Sequence, residues 1–148
     1  MPLIRMLGHR HAAAAVEAVR VELEGRRDTA VVAVSDAYGE LIALLRMDGA
    51  PVTAVQVAIN KAYTAARMRR PSRAIGDAIR DPARGVAASF FGDPRIVGWA
   101  GGVPVSDDVA VIGAVGVSGM SQDLDEEMAG IGARAAQAAW EQSRDGEA

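Results

Sequence analysis

The nine residues Val109–Val117, VAVIGAVGV, form the most apolar run in the chain and constrain its fold more than any other segment. A run so short and so rich in valine reads as a central strand, which needs a neighbour on each side and helices to cover it. Gly113, Gly116 and Gly119 recur through it and just beyond, at intervals of three. Glycine weakens a strand unless another backbone must come close, so the spacing marks a surface for close approach.

The remaining elements are read around this strand. Residues 3–24 carry Ala12, Val16, Val19 and Leu23 at helical spacing, with Glu17, Arg20 and Glu24 on other faces, and Gly25 closes that helix. Ala30–Ser35 and Glu40–Met47 flank the turn residues Asp36–Gly39 and read as a β-hairpin. Asp48–Pro51 ends the second strand, and Thr53 is positioned to cap a helix that runs to about Arg70, where Pro71 stops it. Ser72 is positioned to cap a short helix through Ile79. Residues 85–102 are irregular and hold Phe90, Phe91 and Trp99, as a pocket wall or as plain loop packing. Asp123 and Glu126 mark the start of a last helix, whose stripe of Leu124, Met128, Ile131, Ala135 and Ala139 ends near Gln142. The order α-β-β-α-β-β-α predicts an α+β domain with a mostly antiparallel sheet over residues 1–142, followed by a disordered tail at 143–148.

With 148 residues, half of them hydrophobic and 24% charged, the chain has the means to build one self-supporting core. The absence of cysteine excludes disulfides, thiolate metal sites and cysteine nucleophiles. A net charge of −3 gives no reason to expect nucleic acid. Residues 1–103 hold 14 basic and 10 acidic groups and residues 104–148 hold 2 and 9, so the C-terminal third is acidic. No apolar run is long enough to span a membrane, and a cytoplasmic address is expected.

Few residues can carry chemistry. His9 and His11 point apart on a helix and share a face only if extended, so no protein-held metal is expected, although haem needs only one strong protein ligand. Arg46 and Asp48 sit at a strand end, where they can grip a substrate carboxylate or pair with each other. Gly116-Val-Ser118-Gly119 is one residue short of a nucleophile elbow, and Gly98, Gly101 and Gly102 lack the spacing of a dinucleotide fingerprint. Fifteen of the 16 basic residues are arginine, leaving Lys61 as the sole lysine. A site that needs a deprotonatable amine would keep a lysine; so would chance.

Several separated segments, VVAVSDAYGELIALLRMDGA, INKAYTAARM, GGVPV and IGAVGVSGMSQDLDEEMA, together resemble the GlcG/HbpS family, which includes the C-terminal domain of PduO-type proteins. The resemblance spans roughly residues 10–138. It implies a profilin-like fold, a five-stranded antiparallel sheet flanked by helices, and a homo-oligomer. Some members bind haem or corrinoid-related ligands. The family's RMDGA falls on Arg46–Ala50, its lysine motif on Lys61–Ala66, its GGVP on Gly101–Pro104 and its GAIGVSG on Gly113–Gly119. Met120 replaces a glycine common in relatives, and Ala88–Gly92 with Phe90 and Phe91 replaces a small glycine-rich loop, which implies a reshaped pocket.

The expectation is a small-molecule-binding protein that takes haem or a small carboxylate-bearing ligand, with Arg46, Lys61, Phe90, Phe91, Gly101, Gly102 and Pro104 around it. The alternative is a small lyase or isomerase with Lys61 or Asp48 as general base, Arg46 fixing a carboxylate and the N–H groups of Gly101 and Gly102 stabilising an enolate. Leu3, Ile4, Met6 and Leu7 are expected to be surplus to the monomer's core and available to a partner copy.

Overall fold

The computed structural model describes residues 4–146. Four helices and four strands follow in the order α1 (His9–Gly25), β1 (Val31–Asp36), β2 (Leu41–Arg46), α2 (Ala54–Met68), α3 (Ser72–Arg80), β3 (Gly102–Ser106), β4 (Val111–Ser118) and α4 (Gln122–Asp145), with a single 3₁₀ turn at Ala88–Phe91. The strands form one antiparallel sheet in the order β2-β1-β4-β3. The apolar run is central as expected, since β4 pairs with β1 on one side and β3 on the other. β1 and β2 are the expected hairpin.

Strand alternation sorts the core into two faces. Val32, Val34, Val115 and Val117 face α1 and α4, meeting Ala15, Val19, Leu23, Met128 and Ala133. Val31 and Ala33 face the other way, onto Ala54, Ala58 and Ala62 of α2. The glycines explain how α2 comes so near. A Cβ on Gly116 would stand 2.2 Å from the Ala58 carbonyl oxygen, and one on Gly102, its partner across β3 and β4, would stand 2.2 Å from the Lys61 carbonyl oxygen. The small residues of α2 and the bare strand backbone therefore nest against each other, which is the close approach that the spacing anticipated.

Several expectations are corrected. The first helix starts at His9 rather than residue 3, because Gly8 is extended and the His11 ring accepts its N–H; residues 1–3, including Leu3, lie outside the described residues. Leu7 is core rather than surplus: its N–H donates to the Ile112 carbonyl and its side chain fills the space beside Gly113. That single bond lies at the start of β4 and adds no strand, so the described residues form four strands and not five. Neither Thr53 nor Ser72 caps its helix. Ser72 instead accepts from the Gly102 N–H at 2.8 Å and donates to the Trp99 carbonyl at 2.7 Å, clamping the entry to β3. The α4 cap is Ser121, which accepts from the Leu124 N–H. α4 continues through Asp145, so residues 143–145 are helical where a tail was expected. Glu147 and Ala148 lie outside the described residues, among which no helix is long and apolar enough to cross a membrane.

Overpacking a tight contact costs about 1–3 kcal/mol when neighbours can shift, and here the obstruction is backbone. Gly116→Val is expected to lose at least that much, read as a lowered urea midpoint, whereas Gly130→Ala on α4, whose Cβ meets only the Arg134 side chain at 3.4 Å, is expected to raise the midpoint slightly by removing a glycine from a helix interior.

Candidate functional site

Lys61 is fully buried and lies on α2, at the level where β4 ends. Its ammonium donates to Asp125 Oδ2 at 2.9 Å and to the Val117 carbonyl at 3.0 Å. Asp125 belongs to the first turn of α4, on the opposite face of the sheet, and its Oδ1 accepts from the Met120 N–H at 3.1 Å. The pair therefore crosses the sheet beyond β4. Gly101 makes the crossing fit: its φ is +125°, and a Cβ there would stand 2.9 Å from Lys61 Nζ and 2.6 Å from the Val117 carbonyl oxygen. Burial pushes the Asp125 carboxyl up, while the Lys61 hydrogen bond and charge pull against it.

The pair forms part of the floor of a cleft of about 330 Å³ whose walls include Pro51, Thr53, Trp99, Ser118 and Met120. The indole of Trp99 is 56% exposed, but its backbone is pinned by Ser72 on one side and, through the Ala100 N–H, by Gln122 Oε1 at 2.9 Å on the other. An ammonium has three hydrogens, two of which are committed to protein acceptors. The third has no protein acceptor among the described residues.

The expected site residues separate. Lys61 and Gly101 meet at the cleft floor. Arg46 and Asp48, both exposed, line a neighbouring hollow of about 500 Å³ with Arg20, Glu24, Arg27 and Asp28. Arg46 and Ser118 are both register partners of Val31, from its two sides, so the hollow and the cleft share one end of the sheet. Phe90 is 79% exposed, and neither it nor Phe91 lines the cleft; their 3₁₀ turn borders a separate hollow near Asp93 and Pro94. The Gly102 N–H is already given to Ser72, so it is not free to stabilise an enolate. Pro104 lies on edge strand β3 opposite Ala114. The sequence reading missed Asp125, which sits in an acidic stretch taken as dipole complement. The signal that could have found it is the sole lysine, which needs a carboxylate if it is buried. No group of three or more metal-ligating side chains occurs among the described residues.

Removing one partner of a buried ion pair costs about 3–5 kcal/mol because the other charge is stranded. Lys61→Met is expected to destabilise the protein by that amount in urea denaturation, and Lys61→Met with Asp125→Leu is expected to recover most of the loss.

Three comparisons place the chain among known proteins. The family described as haem degrading protein HbpS-like matches residues 7–134. Protein GlcG of Escherichia coli strain K12 is 34% identical over 113 residues, covering 76% of this chain and 81% of GlcG. The crystal structure of HbpS superposes with a TM-score of 0.80 at 29% identity, covering 90% of this chain and 92% of HbpS. A PduOC structure, solved as a haem complex, superposes with a TM-score of 0.80 at 24% identity, covering 88% of this chain and 94% of PduOC.

Proposed function

The chain belongs to the HbpS-like family, and on that premise we propose that it binds a small carboxylate-bearing molecule at the end of the sheet where α2 and α4 begin. The observation that carries the reading is the cleft at Lys61: a buried ammonium with two of its hydrogens given to protein acceptors, in a cleft also lined by the exposed Trp99, whose backbone is pinned. Arg46, at the same end of the sheet, supplies the unpaired fork that a carboxylate outside the cleft would meet. Because Asp125 already balances the charge of Lys61, the cleft floor recognises an acceptor atom and leaves the counter-charge to Arg46.

Haem stands on the family's description, the small carboxylate on the size of the cleft. About 330 Å³ is at the lower end of ligand pockets and takes an edge of a macrocycle rather than the whole, and no histidine lines it. General acid–base chemistry draws less support than binding. Lys61 is a donor to both of its partners, the wrong posture for a base, and Asp48 is exposed in the neighbouring hollow, apart from Lys61.

Mass spectrometry of small molecules released from the purified native protein tests the reading directly, with a carboxylic acid in stoichiometric amount as the expected finding. Arg46→Ala should then weaken its binding roughly 10-fold or more, the scale of a hydrogen bond to a charged group. A saturable Soret shift on titration with haemin would replace the small acid with haem.

The expectation of a homo-oligomer also remains a proposal. Ile4, Leu41, Leu44 and Val52 are apolar and exposed, and β2 is an edge strand with no outer partner among the described residues. Light scattering at micromolar concentration is expected to return a mass above that of one chain; a clean monomer mass refutes self-association.

A further inference from the structure

His11 and Ser143 have the outward form of a base and its nucleophile. His11 Nε2 lies 3.0 Å from Ser143 Oγ, beside a cleft of about 630 Å³ between the start of α1 and the end of α4. The bonds around the ring decide what the pair does. Gly8 donates its N–H to His11 Nδ1 at 2.9 Å, so Nδ1 holds a lone pair and the proton of the neutral ring resides on Nε2. Nε2–H therefore donates to Ser143 Oγ, whose own hydrogen goes to the Trp140 carbonyl at 2.7 Å. A base that activates Ser143 would need the opposite tautomer, so this pair is not a catalytic dyad.

We propose that the bond from the Gly8 N–H to His11 Nδ1 is a pH-sensitive latch on the start of α1 that opens when His11 takes up a proton, while the Nε2–H bond to Ser143, which ties the ring to the end of α4, persists. A second proton can only go to Nδ1, where it faces the Gly8 N–H with no acceptor between them. Among the described residues, no carboxylate lines the cleft to meet the imidazolium. From α1 the cleft presents His9 and Arg10, and from α4 it presents Arg144, which is turned toward Asp108 of the β3–β4 turn at 3.5 Å. Asp108 is also within 3.4 Å of Arg5. Glu141 and Asp145, the acids at this end of α4, do not line the cleft. The indole of Trp140 stands edge-on to the His11 ring, 5.3 Å between centroids, and covers it.

Burial, and to a lesser extent His9, hold the His11 pKa below its ordinary value. The native state thus binds fewer protons than the unfolded chain. The contribution of the latch is complete above the unfolded value of about 6.5 and is lost as pH falls through the lower folded value.

The latch is tested by NMR on the whole protein between about pH 8 and pH 5, following the imidazole resonances of its two histidines together with amide exchange. The His11 midpoint is expected below that of a free histidine peptide. Protection of the Gly8 amide is expected to fall roughly 10-fold through that midpoint while the amides of the last turn of α4 and of β4 hold. His11→Gln keeps an acceptor for the Gly8 N–H and cannot titrate, so in it the protection of Gly8 should be independent of pH. A His11 midpoint at or above the peptide value overturns the latch, as does an equal loss of Gly8 protection in His11→Gln.

Discussion

The ion pair between Lys61 and Asp125 joins the two helical layers across the end of the sheet, and the geometry of that end depends on it. α2 covers one face and α4 the other, so the two helices touch no common side of the sheet; the salt bridge, with the Val117 carbonyl between, connects them directly. A pair this buried gains little net stability over an apolar one, because desolvation offsets most of its attraction. What it does provide is direction: each charge strands the other if the helices shift, so the starts of α2 and α4 are held in one arrangement. The same arrangement explains why this position is a lysine in a chain that otherwise uses arginine. A guanidinium fork is wider than an ammonium, and even a single added carbon at Gly101 would crowd Nζ to 2.9 Å.

The cleft follows from that constraint. The ion pair forms part of its floor, its walls include the segments that lead into α2 and α4, and Trp99 lines it from backbone that Ser72 and Gln122 hold. Ser72 thus does more for the site than it would have done as a helix cap. One hydroxyl ties α3 to the Trp99 carbonyl and to the first N–H of β3, which positions Gly101 between them. The polar floor is electrically balanced, because Asp125 meets the charge of Lys61.

Much of the fold is legible from local patterns. The run VAVIGAVGV is too apolar for an edge and too short for a helix, and the hairpin before it announces itself by Asp36–Gly39 between two alternating segments. The glycines of β4 foretold close backbone approach, although the approaching element, α2, is visible only in three dimensions. The errors share a cause. Leu7 belongs to a segment with helical spacing, yet the hydrogen bond from Gly8 to the His11 ring sets the helix start two residues later and leaves Leu7 to dock on β4. Thr53 and Ser72 carry the residue types of caps, but the donors that Ser72 meets lie 30 residues downstream in Gly102.

The site divides along the same line. The lone lysine drew attention to Lys61 and the strand end to Arg46, while Gly101 entered the site through the family resemblance. The sequence reading also grouped Phe90 and Phe91 with them, since exposed and pocket-facing aromatics read alike in one dimension. Only the tertiary structure paired Lys61 with Asp125, 64 positions away, and set Trp99 in the cleft with them while leaving Phe90 in solvent. Periodicity, turn chemistry and composition act over a few residues and so are written locally. The partner of a buried charge is decided by which helices pack on which face of the sheet, a property that belongs to no single stretch of the chain.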